Sequence, residues 1–169
     1  MKTGPYLGKY RGVVRNNVDP DQRGRIQVQV ADVAGFNESS WAMPCLPVAG
    51  ANMGMFTVPP KDAGVWIEFE HGNAELPIWV GGYWGRKEET PRLAQGLSPF
   101  LGGITLQTTD GNGIVISDGN DGGIRICHAS GATITVGSDG IIIDNGRGAT
   151  ITMTNGNRID VNGDALTIT

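Results

Sequence analysis

The first half of the chain alternates apolar and polar side chains in short runs that are separated by turn-forming residues. In the run 25–30, every second residue is Ile or Val, and the residues between them are Arg or Gln. This alternation is typical of a half-buried antiparallel strand. Strands are predicted in this way at 10–14, 25–30, 65–70 and 78–84. No segment of this half has a helical period, and about five strands in about 75 residues predict a small closed barrel.

The second half carries a short repeat, in which two apolar residues separated by one residue precede a turn rich in Gly, Asp and Asn. The starts of successive pairs are 10, 10, 10, 7, 10, 8 and 7 residues apart. A short, nearly fixed period of this kind is typical of stacked β-structure. The pairs are Ile104/Leu106, Ile114/Ile116, Ile124/Ile126, Ile134/Val136, Ile141/Ile143, Ile151/Met153, Ile159/Val161 and Leu166/Ile168.

This repeat is too short to close on itself. A single-chain β-helix with roughly 20–25 residues per rung would have fewer than three rungs here, too few to bury a continuous core. Three copies around one axis would share that core, so we predict a homotrimeric prism with the apolar pairs inside and one strand per face from each chain. Stacking eight strands gives a needle of about 40 Å. The predicted outward residues are Gln107, Thr133, Thr135, Asp144, Thr150, Thr152 and Arg158.

The composition changes near residue 100, which indicates two units with different cores. All nine prolines, four tryptophans, three tyrosines and four lysines precede this point. Residues 1–99 carry ten basic and ten acidic side chains, whereas residues 100–169 carry three arginines and seven aspartates. The predicted organisation is a barrel domain at 1–84 with an N-terminal arm at 1–9, a linker at 85–103 and a trimeric spike at 104–169.

A barrel of this size favours the oligonucleotide/oligosaccharide-binding (OB) fold. Nucleic-acid binding is nevertheless disfavoured, because single strands are normally held by aromatic platforms in a positive groove. Here the net charge is −4, and Trp66, Trp79 and Trp84 are interleaved with Glu68, Glu70 and Glu75. We therefore predict that these tryptophans belong to the barrel core and a subunit interface, and that nucleic acid is not a partner.

The sequence predicts no catalytic site and no cofactor. Cys45 and Cys127 form neither a disulfide framework nor a metal cluster. The acidic turn 117–123 resembles calcium-binding glycine repeats, but its order does not recur, and Asp, Asn and Gly are ordinary turn residues. His128 shares the parity of the preceding apolar pair, so three copies could hold a metal on the axis. Because His128 lies just past that pair, a corner position is favoured over a metal site.

Four segments of the first half resemble the OB domain of the phage baseplate assembly protein V and VgrG spike family. They are Gly12–Val30, Trp41–Ala42, Pro59–Gly72 and Leu76–Trp84. The order of OB domain, linker and repeat is also similar to that family, whose members carry a trimeric β-helix after the barrel. The resemblance covers nearly the whole chain. It implies an all-β protein with an N-terminal OB-fold barrel followed by an intertwined triple-stranded β-helix.

The resemblance implies the central spike of a contractile injection machine, made in the cytoplasm and assembled into a tail or baseplate particle. The OB end would bind a hub protein, and the target membrane would be contacted only transiently during mechanical puncture. A PAAR-type tip protein would dock at the C-terminal end, on Leu166, Thr167, Ile168 and Thr169. The linker is too short for the lysozyme domain that some relatives insert, so no enzymatic activity is expected.

A trimeric tail-fibre or adhesin fragment that binds surface glycans is the alternative function, since fibres also use trimeric β-structure. A fibre would be expected to end in a globular adhesin, whereas this sequence ends on its repeat. The sequence contains no apolar run of about 18 residues, so no membrane helix is predicted. Residues 1–10 lack the apolar core of a signal peptide.

Overall fold

The structure is a computed structural model that describes residues 5–34, 37–97, 102–118, 122–154, 156–163 and 165–168. The chain divides into two compact units between Lys87 and Glu88. Nearly all of the regular structure in these ranges is β, as the sequence predicts, and each of the two α-helices found there has four residues. None of the described helices has the length and hydropathy of a membrane span.

The first unit contains a five-stranded sheet that curls into a barrel. Its order is β2-β1-β6-β7-β3, with antiparallel pairs throughout except for the parallel pair of β3 and β7. Backbone hydrogen bonds between Ile26 and Ala42 join β2 to the segment before β3, so the barrel closes. The elements are β1 (Tyr10–Asn16), β2 (Gln27–Gln29), α1 (Ala31–Ala34), β3 (Met43–Pro44), β4 (Ala49–Gly50), β5 (Met53–Gly54), β6 (Gly64–Phe69) and β7 (Pro77–Tyr83). The four strands predicted from alternation are confirmed.

The barrel core consists of the apolar residues that alternation places on one face of each strand. Val14, Ile26, Val28, Val65 and Ile67 have no exposed surface. The positions between them, such as Gln27 and Trp66, are only partly buried, so the period of two places a continuous apolar layer inside. This layer holds the sheet closed and makes the first unit a self-contained domain.

The tryptophans divide between the core and the surface. Trp79 is buried, and its Nε1–H donates a hydrogen bond of 3.1 Å to the carbonyl oxygen of Gly24. Trp66 is half-buried and packs against the ring of Tyr83. Trp84 is 63% exposed, so it does not belong to the barrel core. The tryptophans were predicted to lie in the barrel core and at a subunit interface, and for Trp84 the interface stays a prediction.

The second unit is a single antiparallel meander in which each strand pairs with its neighbours in sequence. The sheet order runs from β8 to β15 without a crossover. Before it, α2 (Arg92–Gln95) follows a short 3-10 turn at Lys87–Glu89. The strands are β8 (Gly103–Gln107), β9 (Gly113–Ser117), β10 (Gly123–Cys127), β11 (Thr133–Gly137), β12 (Gly140–Asp144), β13 (Thr150–Met153), β14 (Ile159–Val161) and β15 (Leu166–Ile168).

All eight predicted apolar pairs fall on these eight strands. The structure differs from the expectation that each chain supplies one strand per face, because all eight strands of one chain lie in one sheet. The physical reason is local. Most turns between strands are short, and a short turn joins antiparallel neighbours rather than strands on different faces.

Candidate functional site

Two apolar ladders cross the whole second sheet. Register pairs each member of the eight predicted apolar pairs with another member on the next strand, for example Ile114 with Ile126 and Ile126 with Ile134. One ladder consists of Leu106, Ile114, Ile126, Ile134, Ile143, Ile151, Val161 and Leu166. The other, by the same register, consists of Ile104, Ile116, Ile124, Val136, Ile141, Met153, Ile159 and Ile168. Together the sixteen residues define what we call the apolar face.

The apolar face is exposed in one protomer. Ile104 is 60% exposed, and Ile114, Ile126, Ile134 and Ile151 are each at least 40% exposed. A continuous exposed strip of β-branched side chains is not stable in water, and patches of this kind mark interaction surfaces. A sheet with one unprotected apolar face therefore requires a partner surface of the same length.

The opposite face is partly covered by the chain itself. Helix α2 packs against β8 and β9, and the backbone N–H of Leu93 donates to Oε1 of Gln107 at 2.9 Å. Val115, which points away from the apolar face, is only 3% exposed. Its neighbour Thr105 has a buried hydroxyl that finds no hydrogen-bond partner within the described part of the chain. The segment predicted as a plain linker thus supplies a cover for the outer side of the sheet.

Glycines at the ends of several strands allow the tight turns of the meander. Gly140 has φ +121°, and a methyl group there would overlap the carbonyl oxygen of Met153 on the adjacent strand. Gly123 has φ +148° and a similar approach to Val136. Side chains at such positions would be strained and would push the strands apart. Part of the acidic turn 117–123, residues 119–121, lies outside the described residues.

A groove with a volume of about 720 Å³ follows one edge of the apolar face. Apolar residues of the first ladder form its floor, and the hairpin loops at the end of the strands form its rim, including His128, Asn145 and Asn162. The loops are tied to one another, since Asn112 Oδ1 accepts a hydrogen bond from the N–H of Ala129. The groove is therefore a shaped feature of the edge.

His128 lies at this edge, in the loop that follows its apolar pair. Its Nδ1 accepts a hydrogen bond of 3.1 Å from the N–H of Ser130, so Nε2 is the nitrogen left for other contacts. Among the described residues, no group of three or more His, Cys, Asp or Glu side chains could hold a metal ion. The corner position predicted for His128, in preference to a metal site on the trimer axis, stays a prediction.

The first unit carries a second exposed apolar surface, which we call the methionine hairpin. It comprises β4, β5 and the residues around them, within the segment 41–60, which contains no charged residue. Met53, Met55 and Phe56 are 60%, 45% and 69% exposed. A groove of about 790 Å³ lies beside them. Methionine side chains adapt their shape to a partner, so this surface suits protein contact.

The predicted tip-docking residues lie at the end of the second sheet. Within the described part of the chain, β15 pairs with β14 alone, so its other edge presents backbone groups without a strand partner. An edge strand of this kind is a template for a further strand from another protein. Of the predicted docking residues, Leu166 is exposed, and Thr169 lies outside the described residues.

Comparison with known protein families matches both units. Residues 10–84 match the Type VI secretion system/phage-baseplate injector OB domain. Residues 103–167 match the phage baseplate V C-terminal trimerisation domain. The second match supports self-association as a homotrimer, and the exposed apolar face independently requires a partner surface. A comparison with curated proteins found no match.

Proposed function

Because this chain belongs to the phage-baseplate V and VgrG-like family of injector proteins, we propose that it is the central spike of a contractile injection machine. In this role it joins the tube hub to the tip and punctures the target envelope mechanically. The observation that carries the proposal is the apolar face, an uninterrupted double ladder across eight strands in the domain that mediates trimerisation.

The proposed trimer is a prism with one sheet per side. Three apolar faces turn inward and bury their sixteen residues per chain against one another. Burial of each branched side chain contributes about 1.5–3 kcal/mol. The boundaries proposed for this assembly are those of the sequence, with the barrel at 1–84, the linker at 85–103 and the prism at 104–169.

A prism of this design suits mechanical load. Its strands run across the axis, so backbone hydrogen bonds run along the axis and every strand supports the next. Eight strands give a length of about 40 Å. Because its apolar core is shared by three chains, local opening exposes that core, and unfolding is slow. We assign no catalytic step to the chain.

The two ends of the chain are proposed to bind different proteins. The methionine hairpin provides the OB domain with a mainly apolar surface for the hub, bordered by Arg23. The open edge of β15 provides a docking strand for a PAAR-type tip protein. Assembly through both ends places the protein in a tail or baseplate particle.

Native mass spectrometry of the purified chain tests the trimer, and a monomer with a cooperative fold would overturn it.

Affinity capture from cells that produce the particle then tests the spike, and hub and tip proteins are the expected partners. Replacing Met53 and Phe56 by Asp should abolish hub capture and leave the trimer intact, because both side chains are exposed. Glycan binding without hub capture would instead identify a tail fibre.

A further inference from the structure

The two long edges of the second sheet carry different loops. The first edge contains the connections from β8 to β9, β10 to β11, β12 to β13 and β14 to β15. The second edge contains the connections from β9 to β10, β11 to β12 and β13 to β14. A meander reverses direction at each strand, so its loops alternate between the two edges along the stack of strands. Every loop of the second edge therefore lies midway between two first-edge loops in height, that is, in its position along the stack.

In a cyclic trimer these unlike edges must meet. Rotation about an axis along the strand stack brings the first edge of one sheet against the second edge of the next. A pure rotation does not shift the chains along the axis, so the heights of the loops are retained. Successive loops of one edge are about 10 Å apart, and each second-edge loop therefore faces the gap between two first-edge loops of its neighbour.

At the height of the turn from β11 to β12, the charges on the described loops are complementary in this arrangement. The turn from β11 to β12 consists of two residues, Ser138 and the exposed Asp139. The first-edge loops directly below and above this height carry His128 and the exposed Arg147. We propose that Asp139 of each protomer lies between His128 and Arg147 of the next, and that these contacts fix the register of the trimer. This inference depends on the trimer of the proposed function.

The shape of the first edge supports the same contact. The groove of about 720 Å³ follows this edge and includes the loops of both His128 and Arg147 in its rim. Those loops end in Ala132 and Ala149, whose small side chains leave space for a turn of the neighbouring chain. A two-residue turn is the smallest connection on the second edge, which matches this space.

The remaining charges favour the pair of Asp139 and Arg147. Residues 100–169 contain three arginines and seven aspartates, so most random edge contacts would bring aspartates together. Arg158 on the second edge is engaged by its own Asp160, with Nε 2.8 Å from Oδ2. Asp118, on the second edge below Asp139, lies between the His128 loop and the loop of the exposed Asp110, so it meets one like charge and Asp139 meets none. Opposite charges at these heights attract in one register and repel in others.

Cross-linking tests the contact directly. Residues 101–169 contain no lysine, so Arg147→Lys introduces one amine into the spike. A carbodiimide, which joins touching amines and carboxylates, should link position 147 to Asp139. Within one chain these positions lie on opposite edges of a sheet about 17 Å wide, so the link must join two chains. Mixed isotope-labelled trimers, analysed by mass spectrometry, should show it as a heavy–light peptide pair.

The matched control is Arg158→Lys, which should link to Asp160 of its own chain. A trimer in which position 147 links only to aspartates of its own first edge, such as Asp144, would overturn the inference and leave the proposed function standing. A monomeric wild-type protein would overturn both. The two failures are therefore distinguishable.

A charge exchange provides an independent measurement on the full chain. Asp139→Arg and Arg147→Asp should each lower the melting midpoint of the trimer by about 5 °C, because each places like charges together. The double variant should recover most of the loss. Arg125→Asp, on the outer face between the edges, should change the midpoint little. Equal losses in single and double variants would contradict the proposed contact.

Discussion

At the scale of single residues, Asp19 organises the longest turn of the barrel. Its carboxylate accepts hydrogen bonds from the backbone N–H groups of Asp21, Arg23 and Arg25 and is only 4% exposed. The Arg25 guanidinium donates to the same carboxylate and holds the pKa of Asp19 well below its usual range. This turn also positions Gly24, whose carbonyl oxygen accepts a hydrogen bond from the Nε1–H of Trp79.

Replacing Asp19 by Asn should destabilise the barrel at neutral pH. Because folding lowers the pKa, the ionised carboxylate stabilises the fold at pH values above the unfolded-state pKa of about 3.9. This stabilisation is lost as the pH falls from there through the lower pKa of the folded state. The difference in melting midpoint between wild type and Asp19→Asn should therefore be largest near pH 7 and shrink below pH 4. Calorimetry of both proteins across this range measures it. A difference independent of pH would contradict this account.

At the scale of elements, period-two alternation predicted the long strands because each has one face in a core. It could not predict β3, β4 and β5, which have two residues each and are too short to show a period. Helix α2 was missed for the same reason. Its role depends on tertiary packing over Val115. In the sequence, only the apolar residues Leu93 and Leu97 indicate that this segment packs against a core.

Gly140→Ala should damage the pairing of β12 with β13. The new methyl group meets the Met153 carbonyl oxygen, and the positive φ adds strain, for a cost of about 1–3 kcal/mol. Gly137→Ala is the matched control, since its nearest contact would be an ordinary 3.6 Å to Gly122. Denaturant unfolding should show a loss for Gly140→Ala only. Equal stabilities would indicate that the turn adapts freely.

At the scale of the whole molecule, the sequence predicted which residues form the apolar face, because every pair lies on a strand. It did not predict that one chain forms one continuous sheet, since the spacing of pairs is compatible with strands on one face or on several. Nor could it predict the heights at which opposite edges carry charge. That property depends on the direction of every hairpin together.

Ile134→Asp should prevent trimerisation. It removes about 1.5–3 kcal/mol of apolar burial per chain and brings three like charges together in the proposed core. Ile142→Asp is the control, because Ile142 lies on the opposite face and is also exposed in the protomer. Native mass spectrometry should give monomers for the first variant and trimers for the second. A stable Ile134→Asp trimer would exclude the apolar face as the interface.

The meander also limits how such a needle can vary in length. Each hairpin adds two strands, about 10 Å, and returns the chain to the edge from which it started. Shortening or extending the rod by whole hairpins would preserve which loops meet at every corner. Deleting a single strand would move every later loop to the opposite edge of the sheet. Related rods should therefore differ in length by even numbers of strands.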